Sequence, residues 1–260
     1  MGTREAKLKD FLDAKVEEYN REGFIEGDPL CIPHRFSLLQ DIEISAFFAA
    51  IFAWGHRTII IKKASSLMEL MDMAPYQFVT QHQPSDLKRL LEFKHRTFNS
   101  TDLLYFIEFF EQYYSSHESL ETAFLKGYSE GGEHSMEGAL NGFFHTFFSL
   151  EYVPARTQKH IASPEKNSTC KRINMFLRWM VRRDNKGVDF GLWKNISPSD
   201  LICPIDLHVA RVARRFGLLQ RPVTDWRAAL ELTSALRNYD PADPVKYDFA
   251  LFGLGVVENF

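Results

Sequence analysis

The stretch DIEISAFFAAIFAWGHR, residues 41–57, decides the fold class of this chain. Its apolar residues lie on all sides of a helical projection, which is typical of a helix buried in a core. Asp41 and Glu43 suit the N-terminus of such a helix, and Gly55 can end it in the left-handed conformation. We therefore predict a core helix over residues 39–53.

Helical periodicity continues on both sides of this stretch, and the sequence lacks alternating β-branched runs closed by Asn-Gly or Asp-Gly. The chain is therefore predicted to be all-α. Glycine, proline and polar residues interrupt the periodicity at Gly131-Gly132, at 151–169 and at 184–206. The other expected helices are 4–21, 58–73, 84–92, 100–115, 119–129, 135–149, 170–183, 207–216, 224–238 and 245–254.

Composition indicates a folded protein without disulfide bonds, a metal site or a membrane span. A hydrophobic content of 45% over 260 residues is ample for a packed core. Cys31, Cys170 and Cys203 lie far apart, so neither a disulfide framework nor a local zinc or iron-sulfur site is predicted, and no cofactor is expected. The start of the sequence has no signal-peptide core, and no run approaches 18 apolar residues. We expect a cytoplasmic protein without a membrane span.

Charge is distributed unevenly along the chain. Residues 156–221 contain fourteen Lys and Arg against five acidic residues, a net of +9, whereas the whole chain carries −3. A basic segment in an acidic body indicates a surface that attracts polyanions. A solvated helical face with many salt bridges would show the same pattern.

The first segment that could carry chemistry is SPEKNSTCKRINMFLRWM, residues 163–180. Ser168 or Thr169 is expected to cap a helix that has Lys171 in its first turn. The helix dipole and the adjacent Arg172 would lower the pKa of Lys171, which favours the neutral amine that a nucleophile requires. The alternative is an ordinary solvated lysine.

The second segment is ICPIDLHVARVARRFG, residues 202–217. Pro204 imposes an extended approach, Asp206 can cap the next helix, and Gly217 can end it. Taken alone, Asp206 indicates a plain capping role rather than catalysis, and His208 indicates a surface or packing position rather than a metal ligand. The face of this helix opposite its apolar stripe is basic, with Arg211, Arg214 and Arg215.

Together these segments resemble the core of the helix-hairpin-helix (HhH-GPD) DNA glycosylase superfamily, nearest the archaeal 8-oxoguanine DNA glycosylases, over roughly residues 28–255. In the lyase-active members a hairpin lysine attacks the sugar C1′, and an aspartate before the next helix supports that attack. Lys171 and Asp206 occupy the matching positions, 35 residues apart. The resemblance implies a two-lobed helical fold with both chain ends in one lobe. The hairpin is atypical, since SPEKNSTC replaces the usual LPGVG.

Two further patches carry the resemblance. AWGHR, residues 53–57, resembles a turn that reaches DNA at the lesion, and YDFALFGLG, residues 247–255, resembles a late helix that contacts the extruded base. The implied base pocket is Trp54, Asp248 and Phe252, although ordinary core packing also explains the late helix. The implied nucleic-acid contacts are His56, Arg57, Arg172, Arg178, His208, Arg211, Arg214 and Arg215.

Over its whole length the chain also resembles a bacterial protein family of unassigned function, through CKRINMFLRWMVRRD, PIDLHVARVARRFGLL and DPVKYDFALFGLG. We expect a single two-lobed domain with N-terminal helices (1–155), a basic hairpin and catalytic region (156–221) and C-terminal helices (222–260). The glycosylase resemblance implies a base-excision repair glycosylase and AP lyase that removes an oxidised purine, for example 8-oxoguanine, from double-stranded DNA through a lysine Schiff base. Two alternatives stay open. One is a non-catalytic protein that binds DNA or RNA, and the other is a helical scaffold with an acidic protein partner.

Overall fold

The structure, a computed structural model, describes residues 2–129, 132, 134–258 and 260. The predicted break at Gly131 therefore lies outside the described residues. The all-α prediction is confirmed. The helices are α1 Thr3–Tyr19, α2 Leu39–Phe52, α3 Arg57–Leu70, α4 Pro75–Gln81, α5 Ser100–Tyr114, α6 Thr122–Tyr128, α7 Met136–Phe147, α8 Lys171–Val181, α9 Leu207–Phe216, α10 Trp226–Arg237 and α11 Tyr247–Val256. Short 3-10 turns span Glu22–Gly27, Pro29–Cys31, Pro33–Arg35, Asp86–Leu90, Ala155–His160, Pro164–Lys166, Pro198–Asp200 and Pro244–Lys246.

Three local features differ from the sequence-based prediction. Residues 84–92 form only the 3-10 turn Asp86–Leu90, because Leu90 alone is buried there and a longer helix would lack an apolar face to pack. Helix α4 was missed, and it begins at Pro75, a residue favoured at the first helical position. A two-stranded antiparallel hairpin, β1 Lys94–His95 and β2 Phe98–Asn99, is too short to show an alternating pattern.

The described residues fall into two compact units. The terminal unit comprises Met1–Ile25 and Ser163–Phe260, so both ends of the chain belong to it, and the central unit comprises Glu26–Ala162. Helix α11 packs against α1 and α9 in the terminal unit. Gly253 permits the close approach of α1, since a Cβ there would lie 2.3 Å from Tyr19 Cδ2.

Helix α2 is the core helix of the central unit, as predicted, and eleven of its residues are buried. The Phe47 ring lies 5.6–5.9 Å from four phenylalanine rings of α5 and α7. Glu43 lies near the start of the helix, as predicted, and it is fully buried, where it accepts hydrogen bonds from Tyr114 Oη (2.8 Å) and the Leu120 amide (3.0 Å). Gly55, just after the helix, has a φ of +113°.

Among the described residues, no helix combines the length and the apolar character that a membrane span requires.

Candidate functional site

The turn before α8 sets the position of Lys171, the first residue of that helix. The residue that caps α8 is Cys170, with a φ of +51°, and not Ser168 or Thr169 as predicted. Ser168 instead accepts a hydrogen bond from the Cys170 amide at its Oγ (3.1 Å). Asn167 is also left-handed, with a φ of +55°. This turn therefore adopts the left-handed backbone conformation at two residues, although neither is glycine, the residue that usually occupies it.

Asp206 caps α9, as predicted. Its Oδ1 accepts hydrogen bonds from the amides of His208 and Val209, both at 2.9 Å. These bonds satisfy two of the amide groups that a helix leaves unpaired at its N-terminus. The cap orients the carboxylate, and its second oxygen remains available for another partner.

That partner is Lys171. Its Nζ donates to Asp206 Oδ2 at 2.8 Å, and the two side chains are 28% and 20% exposed. Burial raises the pKa of the Asp206 carboxyl, but the charge and hydrogen bond of Lys171 outweigh this and hold the pKa below its ordinary value. An amine and an ionised carboxylate that share a hydrogen bond and reach solvent can exchange a proton and can meet an external electrophile.

A buried ion-pair network belongs to the same unit. The Arg178 guanidinium is 4% exposed and contacts the carboxylates of Asp248 and Asp189. Arg182 is also buried and pairs with Asp184 (2.7 Å), Asp189 (3.0 Å) and Asp243 (2.9 Å). The sequence resemblance made Arg178 a nucleic-acid contact, but its guanidinium is enclosed between carboxylates and does not reach a surface where a phosphate could bind. Its position in the structure is that of an internal ion pair.

Asp248 lies close to the Lys171–Asp206 pair. Burial raises the pKa of Asp248 to about 6, opposed by the charges of Arg178 and Lys171 and reinforced by that of Asp206. Three residues that the sequence marked as functional therefore act electrostatically on one another. The Phe252 ring is half-buried, 6.3 Å from that of Phe24, while Phe249 is fully buried, so ordinary packing accounts for part of α11.

The basic residues of α9 are engaged in the fold to different degrees. Arg211 donates to the carbonyls of Phe260 (3.0 Å) and Gly255 (2.9 Å), and it remains exposed. Arg214 donates to the carbonyl of Arg221 at 3.0 and 2.9 Å, and the exposed Arg215 lies 4.1 Å from the Phe260 ring. His208 is exposed at the start of the helix. Arg172, next to Lys171, is half-buried, and burial lowers the pKa of its guanidinium.

The net charge of +9 over residues 156–221 overstates the exposed positive charge. At least six of its fourteen cations pair with carboxylates, and Arg178 and Arg182 are buried as well. The six are Arg156, Lys171, Arg178, Arg182, Lys186 and Arg221. Arg156 and Lys159 belong to the central unit, whereas the other twelve belong to the terminal unit.

Trp54, His56 and Arg57 belong to the central unit. Trp54 and His56 are exposed, and Arg57 is half-buried. Arg96 was not predicted as a site residue, and its guanidinium lies 4.9 Å from the Trp54 ring. No local signal marks Arg96, because Arg-Thr is not a typical turn dipeptide and the stacking partner lies 42 positions earlier in the sequence.

Among the residues that the structure describes, no group of three or more His, Cys, Asp or Glu side chains is arranged to hold a metal ion. No curated protein and no solved structure matches the chain. A family model described as "Protein of unknown function (DUF2400)" matches residues 28–257. This match confirms the resemblance to a family of unassigned function and attaches no activity to it. Because the match covers most of the sequence, the chain belongs to the DUF2400 family.

Proposed function

We propose that this protein is a DNA glycosylase with AP lyase activity that excises an oxidised purine, such as 8-oxoguanine, from double-stranded DNA. One observation carries the proposal: Lys171 Nζ and Asp206 Oδ2 are 2.8 Å apart, although 35 positions separate the two residues in the sequence. A solvent-accessible lysine with a carboxylate base at hydrogen-bond distance is the arrangement that amine nucleophiles use. The resemblance of both flanking segments to lyase-active glycosylases supports the same assignment.

In the proposed reaction the damaged nucleotide first leaves the base stack, because the sugar carbon is inaccessible within a duplex. Lys171 transfers its ammonium proton to Asp206, and the neutral amine attacks C1′ as the bond from C1′ to the base breaks. The electron pair of that bond leaves with the base, which takes up a proton. Asp206 passes the proton from Lys171 to the departing base, and the ionised carboxylate then stabilises the positive charge that develops on the sugar.

The covalent intermediate then resolves in two steps. Opening of the sugar ring converts the N,O-acetal at C1′ into a protonated Schiff base with Lys171, and the ring oxygen gains the proton that the nitrogen loses. Loss of a proton from C2′ expels the 3′ phosphate, which cleaves the strand. Water then hydrolyses the Schiff base and returns Lys171 as a free amine.

Borohydride trapping tests the proposal, because it reduces a Schiff base to a stable secondary amine. We expect wild-type protein to be trapped on duplexes that contain 8-oxoguanine or an abasic site, and Lys171→Gln to abolish trapping while DNA binding is retained. Asp206→Asn should slow the reaction by about two to four orders of magnitude, the usual contribution of a general base.

Adventitious lysines also react with abasic DNA, so two controls are needed. Lys166 is exposed in the turn just before α8, and Lys186 pairs with Glu17 on the surface of the same unit. Lys166→Gln and Lys186→Gln should leave trapping unchanged. Equal loss of trapping in all three variants would contradict a specific role for Lys171.

A non-catalytic nucleic-acid-binding protein is the second candidate, and the Lys171–Asp206 ion pair itself favours it. An ion pair between a lysine and a carboxylate at 2.8 Å is a common structural contact, and it accounts for the position of Lys171 without any chemistry. If wild type is trapped on no lesion but binds duplex DNA with an affinity that falls as salt rises, this candidate is the better account. Absence of any DNA binding would instead favour a scaffold with an acidic protein partner.

A further inference from the structure

Trp54 differs from the other tryptophans of this chain. All four are among the described residues, and Trp179, Trp193 and Trp226 are at most 4% exposed, whereas Trp54 is 48% exposed. Trp54 lies in the short connection between α2 and α3, where Gly55 has a φ of +113°. Trp54 therefore presents its indole ring to solvent on a turn of the central unit.

Arg96 holds this indole from a second element. It is the first residue of the turn between β1 and β2, and its guanidinium lies 4.9 Å from the Trp54 ring. The guanidinium also packs on Gly55, where a Cβ would come within 2.1 Å of Arg96 Nη2. The turn is anchored by Arg156, which donates to the Thr97 carbonyl at 2.7 Å. Trp54 and Arg96 therefore form one stacked pair, hereafter the Trp54–Arg96 platform.

The backbone of Arg96 is unfavourable for its residue type. Its φ is +55°, a conformation that glycine and asparagine adopt readily and arginine does not. Two-residue hairpin turns also favour glycine or asparagine at positions of positive φ. The turn thus contains arginine where glycine would suit the backbone better, which indicates that the side chain has a role outside the turn.

The surroundings of the platform are positively charged within an acidic unit. Residues 54–63 and 94–99 contain five Lys and Arg and no acidic residue, whereas the central unit as a whole has 17 acidic and 11 basic residues. The five are Arg57, Lys62, Lys63, Lys94 and Arg96. Burial lowers the pKa of His95 beneath the turn, and the charges of Arg96 and Lys63 lower it further. A positive field is therefore concentrated at this turn.

We propose that the Trp54–Arg96 platform is a binding site for an unpaired nucleobase of DNA, with the four neighbouring cations, Arg57, Lys62, Lys63 and Lys94, facing the phosphates on either side. An exposed ring stacks on any base, a guanidinium adds a planar cation, and a basic groove follows the backbone. The inference takes DNA as the partner from the proposed function. It does not depend on the chemistry of Lys171, which lies in the other unit.

Tryptophan fluorescence provides a direct test, because Trp54 is the one tryptophan that a bound base can stack upon. We expect full-length protein to show saturable quenching with a duplex that contains one unpaired nucleotide. A fully paired duplex of the same sequence should bind at least about ten-fold more weakly, since it offers no free base face. Trp54→Phe should lose the quenching signal. Because this variant lacks the reporting indole, its DNA binding is measured by the fluorescence anisotropy of labelled DNA.

Arg96→Gly is the decisive variant. It removes the guanidinium and gives the turn a residue suited to its positive φ, so thermal stability should be unchanged or higher. Binding of the unpaired duplex should nevertheless weaken about ten-fold. Lys126→Gln is the matched control, because Lys126 is exposed on α6 of the same unit and lies outside both basic segments. Its binding should equal that of wild type.

The outcomes separate this inference from the proposed function. In Lys171→Gln, the unpaired duplex should quench the tryptophan fluorescence as it does in wild type. If wild type is trapped on lesion DNA but Arg96→Gly binds unpaired DNA normally, the inference is overturned and the proposed function stands. If wild type is not trapped on lesion DNA but quenching depends on Arg96, the base-binding site is supported and the glycosylase activity is not. An RNA of the same sequence that binds ten-fold tighter than DNA would overturn the assignment to DNA.

Discussion

Lys171 and Asp206 meet through one carboxylate oxygen while the other oxygen of Asp206 caps a helix. Oδ2 accepts the hydrogen bond from Lys171 Nζ at 2.8 Å, and Oδ1 accepts the amides of His208 and Val209 at 2.9 Å. The cap fixes the rotamer of Asp206, and the fixed rotamer presents Oδ2 to the lysine. The structural role and the proposed chemical role of this residue are therefore separable by mutation.

Replacing Asp206 tests the capping role. Asparagine retains the side-chain oxygen that accepts the α9 amides, whereas alanine does not. We expect Asp206→Ala to lower the free energy of unfolding by about 1 kcal/mol more than Asp206→Asn, the typical contribution of a helix cap. Urea denaturation measures both variants. If the two unfold at the same urea concentration, the cap does not stabilise α9 as the hydrogen bonds indicate.

The pH dependence of stability tests the ion pair. Because Lys171 holds the folded-state pKa of Asp206 below that of the unfolded chain, the pair stabilises the fold fully above a pH of about 4. That contribution is lost as the pH falls through the lowered pKa of the folded state. We expect wild type to exceed Lys171→Gln in the free energy of unfolding by on the order of 1 kcal/mol near neutral pH. The difference should vanish in acid.

Denaturation of wild type and Lys171→Gln at a series of pH values provides the measurement. Lys166→Gln serves as the control and should follow wild type at every pH. A difference between wild type and Lys171→Gln that persists unchanged into strong acid would show that the lysine stabilises the protein by packing rather than by charge.

Replacing Arg178 tests whether this residue is a structural cation in a buried ion pair or a contact to a DNA phosphate. Arg178→Met would leave the buried carboxylate of Asp248 without its guanidinium partner, and Asp189 would lose one of its two. We expect a loss of about 3–5 kcal/mol in the free energy of unfolding, as when one member of a buried ion pair is removed. The double variant Arg178→Met/Asp248→Asn should recover part of that loss, because one buried charge is then also removed.

Arg215→Met is the matched control, since Arg215 is exposed on α9. Its stability should stay within about 0.5 kcal/mol of wild type. If Arg178→Met folds as stably as wild type but binds DNA more weakly, the nucleic-acid contact predicted from the sequence would be restored and the structural role rejected.

Several elements could be predicted because their signals are local. Helix α9 has the predicted bounds 207–216, since Asp206 and Gly217 are strong capping residues on either side of an amphipathic run. Helix α2 followed from its uninterrupted apolar sequence. The β1–β2 hairpin and α4 were missed, because strands of two residues and a helix of seven residues carry too few positions for a periodicity to appear.

The candidate site was predictable only in part. The resemblance to lyase-active glycosylases named Lys171 and Asp206, but their separation of 2.8 Å is a property of the folded chain. The same resemblance named Arg178 as a nucleic-acid contact, and neither periodicity nor net charge indicated that its ion-pair partner Asp248 lies 70 positions away. A basic residue in a basic segment looks the same in sequence whether it is exposed or buried.

The sequence by itself determined the helical class, the capping of α9 by Asp206 and the buried character of α2, because each depends on residues within a few positions of one another. Tertiary structure alone decided that Arg178 is enclosed by carboxylates, that Asp206 meets Lys171, and that Arg96 stacks on Trp54. These contacts join residues that are distant in the sequence. The free energies that favour them arise from burial and charge pairing, which exist only once the helices have packed.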